Sequence, residues 1–68
     1  MNLSARNQLK GKITSVTKGA TTAHVTIDIG GALVTASITN AAVDELGLAE
    51  GKEAYAIIKA SDVMVGVK

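Results

Sequence analysis

The sequence predicts an all-β chain interrupted by one short helix. Three observations lead there. Apolar and polar residues alternate along most of residues 9–67, Lys18-Gly19 and Gly30-Gly31 punctuate the alternation as turns, and one stretch, Asn40–Gly47, has helix-end residues at both of its ends.

Residues 7–17 (NQLKGKITSVT) read as a long first strand. Leu9, Gly11, Ile13 and Ser15 alternate with Lys10, Lys12, Thr14 and Val16. Gly11 within the pattern predicts a bend or bulge, the device that curls a strand around a small barrel. In residues 22–29, Ala23, Val25, Ile27 and Ile29 face one way and His24, Thr26 and Asp28 the other, so the segment reads as half-buried. His24 is the only histidine; on the polar face with no second ligand nearby, it reads as an exposed or interface side chain. Gly30-Gly31 then supplies a tight hairpin. Residues 32–39 return with Val34, Ala36 and Ile38 on one face, and Leu33 on the other suggests an intermolecular contact there.

In Asn40–Gly47, Asn40 is the expected N-cap and Gly47 the left-handed C-terminal residue. Asp44 and Glu45 read as charges favoured by the helix dipole, and Val43 and Leu46 as the buried stripe. Neighbouring carboxylates do not share a helix face, so this pair is not read as a catalytic acid and base. Residues 53–59 make the next strand and 62–67 the last, separated by Ala60-Ser61-Asp62. Three strands, a helix and two more strands give a five-stranded, OB-like barrel.

Size limits what such a barrel can do alone. The chain has 68 residues, no Phe, Trp or Cys, and one Tyr, yet is 47% hydrophobic. That is one domain at most, with a thin core and no disulfide to staple it. Completing the core against other copies is the expected solution, which predicts a homo-oligomer with strand-rich interfaces and closed symmetry.

The net charge is +1, from seven basic and six acidic residues. That excludes strong polyelectrolyte binding to nucleic acid, and one aromatic residue gives no stacking platform for single strands, so no nucleic-acid partner is expected. The N-terminus lacks the apolar region of a signal peptide and no apolar run approaches a membrane span. The expectation is a cytoplasmic protein with no membrane partner. No nucleophile–base pair, metal-ligand cluster or phosphate loop is visible, so the chain is not read as an enzyme; the alternative function kept open is an OB-like partner- or nucleic-acid-binding module, in which Arg6 and Lys59 are positioning contacts.

Two polar clusters remain. Ser4-Ala5-Arg6-Asn7-Gln8 gathers a hydroxyl, a guanidinium and two amides where there is little apolar content to bury. If it is extended, Ser4 and Arg6 share a face, and a hydroxyl beside a fork of N–H donors suits a tetrahedral oxyanion. The N–H groups of Ala5 and Arg6 add donors. The bland alternative is a solvated arginine near a chain end. Lys59 and Ser61 form a second set of one cation and one hydroxyl, which on its own reads as a strand end and a turn.

The segments SARNQLKG (4–11), Lys18-Gly19, Glu45-Leu46-Gly47-Leu48 with Glu50-Gly51, and Ile58-Lys59-Ala60-Ser61 with Val63 resemble the molbindins, single copies of the Mop domain. The resemblance runs from about residue 2 to the end, so residues 1–68 are expected to form a single Mop domain. It implies binding of molybdate, or the near-isosteric tungstate, as an intact oxyanion, with no organic cofactor and no metal coordination by the protein. It also implies a hexamer, a trimer of dimers, with anion sites at subunit interfaces. By this resemblance the SAR segment of one subunit joins the KAS segment of a neighbour. Ser4 and Ser61 supply hydroxyls, Ala5 and Arg6 backbone N–H groups, Arg6 and Lys59 charge, and Ala60 its backbone. Thr22 stands where many members have Asn, and His24 where an acidic residue is common. These departures bear on a second kind of site near the threefold axis, whose residues are not assigned.

Overall fold

The computed structural model describes residues 2–68. Its strands are β1 (Asn7–Lys18), β2 (Thr22–Asp28), β3 (Leu33–Thr39) and β4 (Glu53–Ile58); helix α1 (Asn40–Leu46) lies between β3 and β4. They form one antiparallel sheet in the order β3-β2-β1-β4, curled into a half-barrel. Ile13, Ala23, Val25, Ile27, Val43 and Ala56 form the core on its concave face.

The mostly-β fold with one short helix is as the sequence predicts, but the five-stranded barrel is not: the described residues hold four strands. The segment read as a fifth strand is a single 3-10 turn, Ala60–Asp62, followed by residues with no ladder partner. Met64, Val65 and Val67 are more than nine-tenths exposed. Alternation in the sequence records a wish to be half-buried. It does not say which strand edge satisfies it.

The bulge falls three residues later than expected. β1 pairs with β2 at Ile13↔Ile27 and then at Ser15↔Thr26, so Thr14 is the extra residue. The insertion shifts the phase of the strand and brings Val16, read as outward, against the core. Gly11 serves a different purpose. A Cβ there would sit 2.3 Å from the Asp28 carbonyl oxygen and 2.8 Å from the Ile27 methyl, so only glycine lets the end of β2 cross this closely.

The hairpin turn is as expected: Gly30 and Gly31 both have positive φ (89° and 111°), and the Ile29 N–H donates to the Ala32 carbonyl at 3.0 Å. The helix differs in detail. Its N-cap is Thr39, whose hydroxyl accepts from the Ala42 N–H at 3.0 Å, while Asn40 is already helical. Asn40 instead ties the helix to the β1–β2 turn, donating from Nδ2 to the Gly19 carbonyl at 3.0 Å. Neither Asp44 nor Glu45 is in the first turn, which corrects the dipole reading; Asp44 pairs with Lys18 at 2.6 Å. Val43 is buried as expected, but Leu46 is 61% exposed, because it lines an apolar groove that the chain leaves open. Gly47 ends the helix in the left-handed region.

Candidate functional site

The β1–β4 pair brings the two polar clusters together. Its register runs from Lys12↔Glu53 to Asn7↔Ile58, where the ladder ends. Arg6 and Lys59 are therefore the next residues outward along the two segments, followed by Ala5 and Ala60, then Ser4 and Ser61. The clusters lie at opposite ends of the sequence, yet they leave the same end of one strand pair.

Asn7 closes this end. Its Nδ2 donates to the Ile58 carbonyl at 3.2 Å, a bond between residues 51 apart in the chain. Gln8 reaches back toward the Ala5 carbonyl at 3.5 Å, the outer limit of a hydrogen bond. Ala5 is buried, at 9% exposure, although the stretch around it reads as having little to bury. It anchors the segment while Ser4 and Arg6 on either side are exposed. Lys59, Ala60 and Ser61 are exposed too; Lys59 precedes the 3-10 turn, and the Asp62 N–H donates to its carbonyl at 2.9 Å.

Among the described residues Arg6, Lys12, Lys59 and Lys68 have no ion pair, and this end is where two of them, Arg6 and Lys59, leave neighbouring strands. The ion pairs among the described residues are Lys10–Glu53 at 3.5 Å and Lys18–Asp44 at 2.6 Å. Lys52 is occupied differently, donating to the Leu46 and Gly47 carbonyls at 3.0 Å each. Arg6 and Lys59 take part in neither pair. Both cations are exposed and lie just past the last rung of the ladder, where each is free to meet an anion. Hydroxyls at Ser4 and Ser61 and unpaired backbone N–H groups beyond the ladder complete a donor-rich surface suited to an oxyanion. No group of three His, Asp or Glu among the described residues is placed to hold a metal ion. His24 is exposed on β2, opposite Thr17 and Ser37 and away from this end. Sequence reasoning picked out the donors but missed the Asn7 bond, since an amide near a chain end carries no signal of what it will reach.

Fold and donor arrangement define a small, mostly-β domain with a donor-rich end, and comparison with known proteins says which family it belongs to. Residues 3–65 match the TOBE domain model, and the chain belongs to that family. Within it, the expected likeness to the molbindins holds over the whole chain. A probable molybdenum-pterin-binding protein of Haemophilus influenzae is 61% identical over 69 residues, covering all of both chains. The solved molybdate-binding protein of Sporomusa ovata is 31% identical, with a TM-score of 0.93 over 98% of this chain and all of that one. The cytoplasmic molybdate-binding protein ModG, solved with molybdate bound, is 45% identical with a TM-score of 0.93; it aligns with all of this chain and 49% of its own.

Proposed function

We propose that residues 1–68 act as one Mop domain that binds molybdate, or tungstate, as the intact oxyanion, in cytoplasmic storage and homeostasis. The observation that carries this is the pair of cations without a carboxylate partner, Arg6 and Lys59, held just past Asn7↔Ile58 at the open end of β1–β4. Ser4, Ala5, Arg6, Lys59, Ala60 and Ser61 are the proposed ligands. Molybdate is a dianion whose oxygens all accept; the two cations neutralise it and the hydroxyls and amides replace its water. The activity is binding without a reaction. It needs no organic cofactor and no metal coordination by side chains, because oxygens face the protein. The relatives' names support the ligand, and ModG's description as cytoplasmic supports the location. No helix among the described residues is long and apolar enough to cross a membrane.

The sites form at subunit interfaces of a homo-oligomer, a hexamer built as a trimer of dimers, with the SAR segment of one copy beside the KAS segment of another. Neither nucleic acid nor membrane is a partner. Two features support assembly. An apolar groove of about 370 Å³, lined by Val25, Ile38, Leu48, Tyr55 and Ile57 among others, lies open on the half-barrel. The tail from Val63 to Val67 is apolar and exposed in the same chain. The tail of another copy is the natural cover for that groove and supplies the strand missing from the barrel. Because ligands come from more than one copy, the bound anion stabilises the assembly.

Equilibrium dialysis against molybdate in excess sulfate, with bound molybdenum counted per chain, tests the proposal. Saturable molybdenum that survives sulfate is expected. Retention no greater than for an unrelated protein refutes the oxyanion function.

A further inference from the structure

The Asn7 side chain lies where the two proposed ligand segments leave the sheet, and it joins them. Its Nδ2 bonds the Ile58 carbonyl at 3.2 Å; Asn7 follows Arg6 directly, and Ile58 directly precedes Lys59. We infer that Asn7 is a positioning residue: its amide clamps the SAR and KAS segments of one chain at a fixed separation, so that the donors on both are set before the anion arrives. This inference rests on the oxyanion reading of that end of the sheet.

Three observations carry it. Asn7↔Ile58 is the last pair of the ladder, so beyond it no backbone register holds the segments together. The residues just past the clamp are the like-charged Arg6 and Lys59, which have no ion pair to draw the segments together. The clamp is half-buried, whereas the donors around it are exposed. A bond shielded from water holds its two groups together better than an exposed one. Binding then loses less conformational entropy, because each segment is already fastened to the sheet in the empty protein. Where the anion lies between copies, each chain gives one segment to one site and the other segment to the next. The clamp then holds both sites in the same geometry.

The test uses the full chain in its native assembly. Molybdate affinity, the melting midpoint without anion, and hydrogen exchange at the Lys59 and Ala60 amides are measured for wild type, Asn7→Ala, Asn7→Gln and Thr14→Ala. Thr14→Ala is the control: it removes another side-chain bond from β1, Thr14 Oγ1 to the Thr26 carbonyl at 3.4 Å, remote from the site. Asn7→Ala is expected to weaken molybdate at least tenfold and to speed exchange at both amides, with a melting midpoint no lower than that of Thr14→Ala. Asn7→Gln, which keeps the donor on a longer arm, regains part of the affinity. Unchanged affinity in Asn7→Ala overturns the inference, and so does an equal loss in Asn7→Ala and Thr14→Ala, which marks a general weakening of the strand. Failure of wild type itself to bind molybdate refutes the oxyanion function instead; the exchange rates then still show whether Asn7 clamps the two segments.

Discussion

The two ends of β1 carry the same kind of residue to opposite effect. At its C-terminal end Lys18 meets Asp44 at 2.6 Å, the Gly19 N–H donates to the Thr22 carbonyl at 2.7 Å, and Asn40 bonds Gly19 and Thr21. Charge and backbone there are satisfied within the fold. At the N-terminal end Arg6 faces no carboxylate, and the ladder stops at Asn7 with donors left over. The closed end holds the helix to the sheet. The open end carries two cations, Arg6 and Lys59, that no carboxylate of the described residues pairs, and it is there that the proposed anion site lies. The lesson is that a basic residue points to a ligand only when the fold leaves it without a partner, and that can be judged only once the chain is folded.

The largest effect is expected at the open end. Arg6→Ala removes one of two cations and a charge-assisted donor, a loss of about 1.5–3 kcal/mol in binding, or roughly 10–150-fold in affinity. Thermal unfolding with and without molybdate checks it. The variant should keep its assembly and lose most of the stabilisation that molybdate gives the wild type. An undiminished response removes Arg6 from the site.

Next in size is a change between the two ends. Gly11→Ala places a Cβ 2.3 Å from the Asp28 carbonyl oxygen, backbone that cannot swing aside as a side chain would. Overpacking of this kind costs about 1–3 kcal/mol, read as a lower midpoint in urea. Because Gly11 also pairs with Ala54 on β4, the strain should reach the open end and weaken anion binding as well as folding. A variant as stable as wild type shows that β2 does not cross as closely as described.

The closed end should yield smaller and purely structural effects. Thr39→Ala removes the cap bond to the Ala42 N–H, about 1 kcal/mol of stability, with molybdate affinity unchanged. Asn40→Ala at the neighbouring position should leave the cap intact and loosen the helix from the β1–β2 turn. If Asn40→Ala costs the cap and Thr39→Ala does not, the helix starts one residue later than described.

How much of this was legible in the sequence depends on what each signal encodes. Alternation located the four strands to within a residue or two, because burial of one face leaves a period of two. It could not locate the bulge, since Thr14 and Ser15 are both small hydroxyl residues and a phase shift between them changes no pattern. It placed a fifth strand at 62–67 because the tail has a strand's alternation, although those residues find no edge within their own chain. Thr39 and Asn40 are adjacent good caps, and propensity alone does not choose between them. At the candidate site the sequence picks out two donor clusters, because oxyanion chemistry restricts which residues can serve, but not that they leave the same end of one strand pair. The register that ends at Asn7↔Ile58, and the Asn7 amide that bonds Ile58 there, arise from pairing between the two ends of the chain, which no local pattern records.

The smallest expected effect is the sharpest test of the contrast between the ends. Lys18→Ala breaks a short ion pair, yet both partners are substantially exposed, at 46% and 67% for the side chains. Solvent screening holds the contribution of such a pair to about 0–1 kcal/mol, and added salt lowers it further. The melting midpoint should therefore fall slightly in dilute buffer and match wild type in high salt, with molybdate affinity unchanged in both. Removing a positive charge from either end of β1 alters net charge equally, so a purely long-range attraction for the dianion would weaken in both variants alike. A fall in affinity for Lys18→Ala comparable to that for Arg6→Ala would mean the protein draws the anion by overall charge. Loss confined to Arg6→Ala places recognition at the open end.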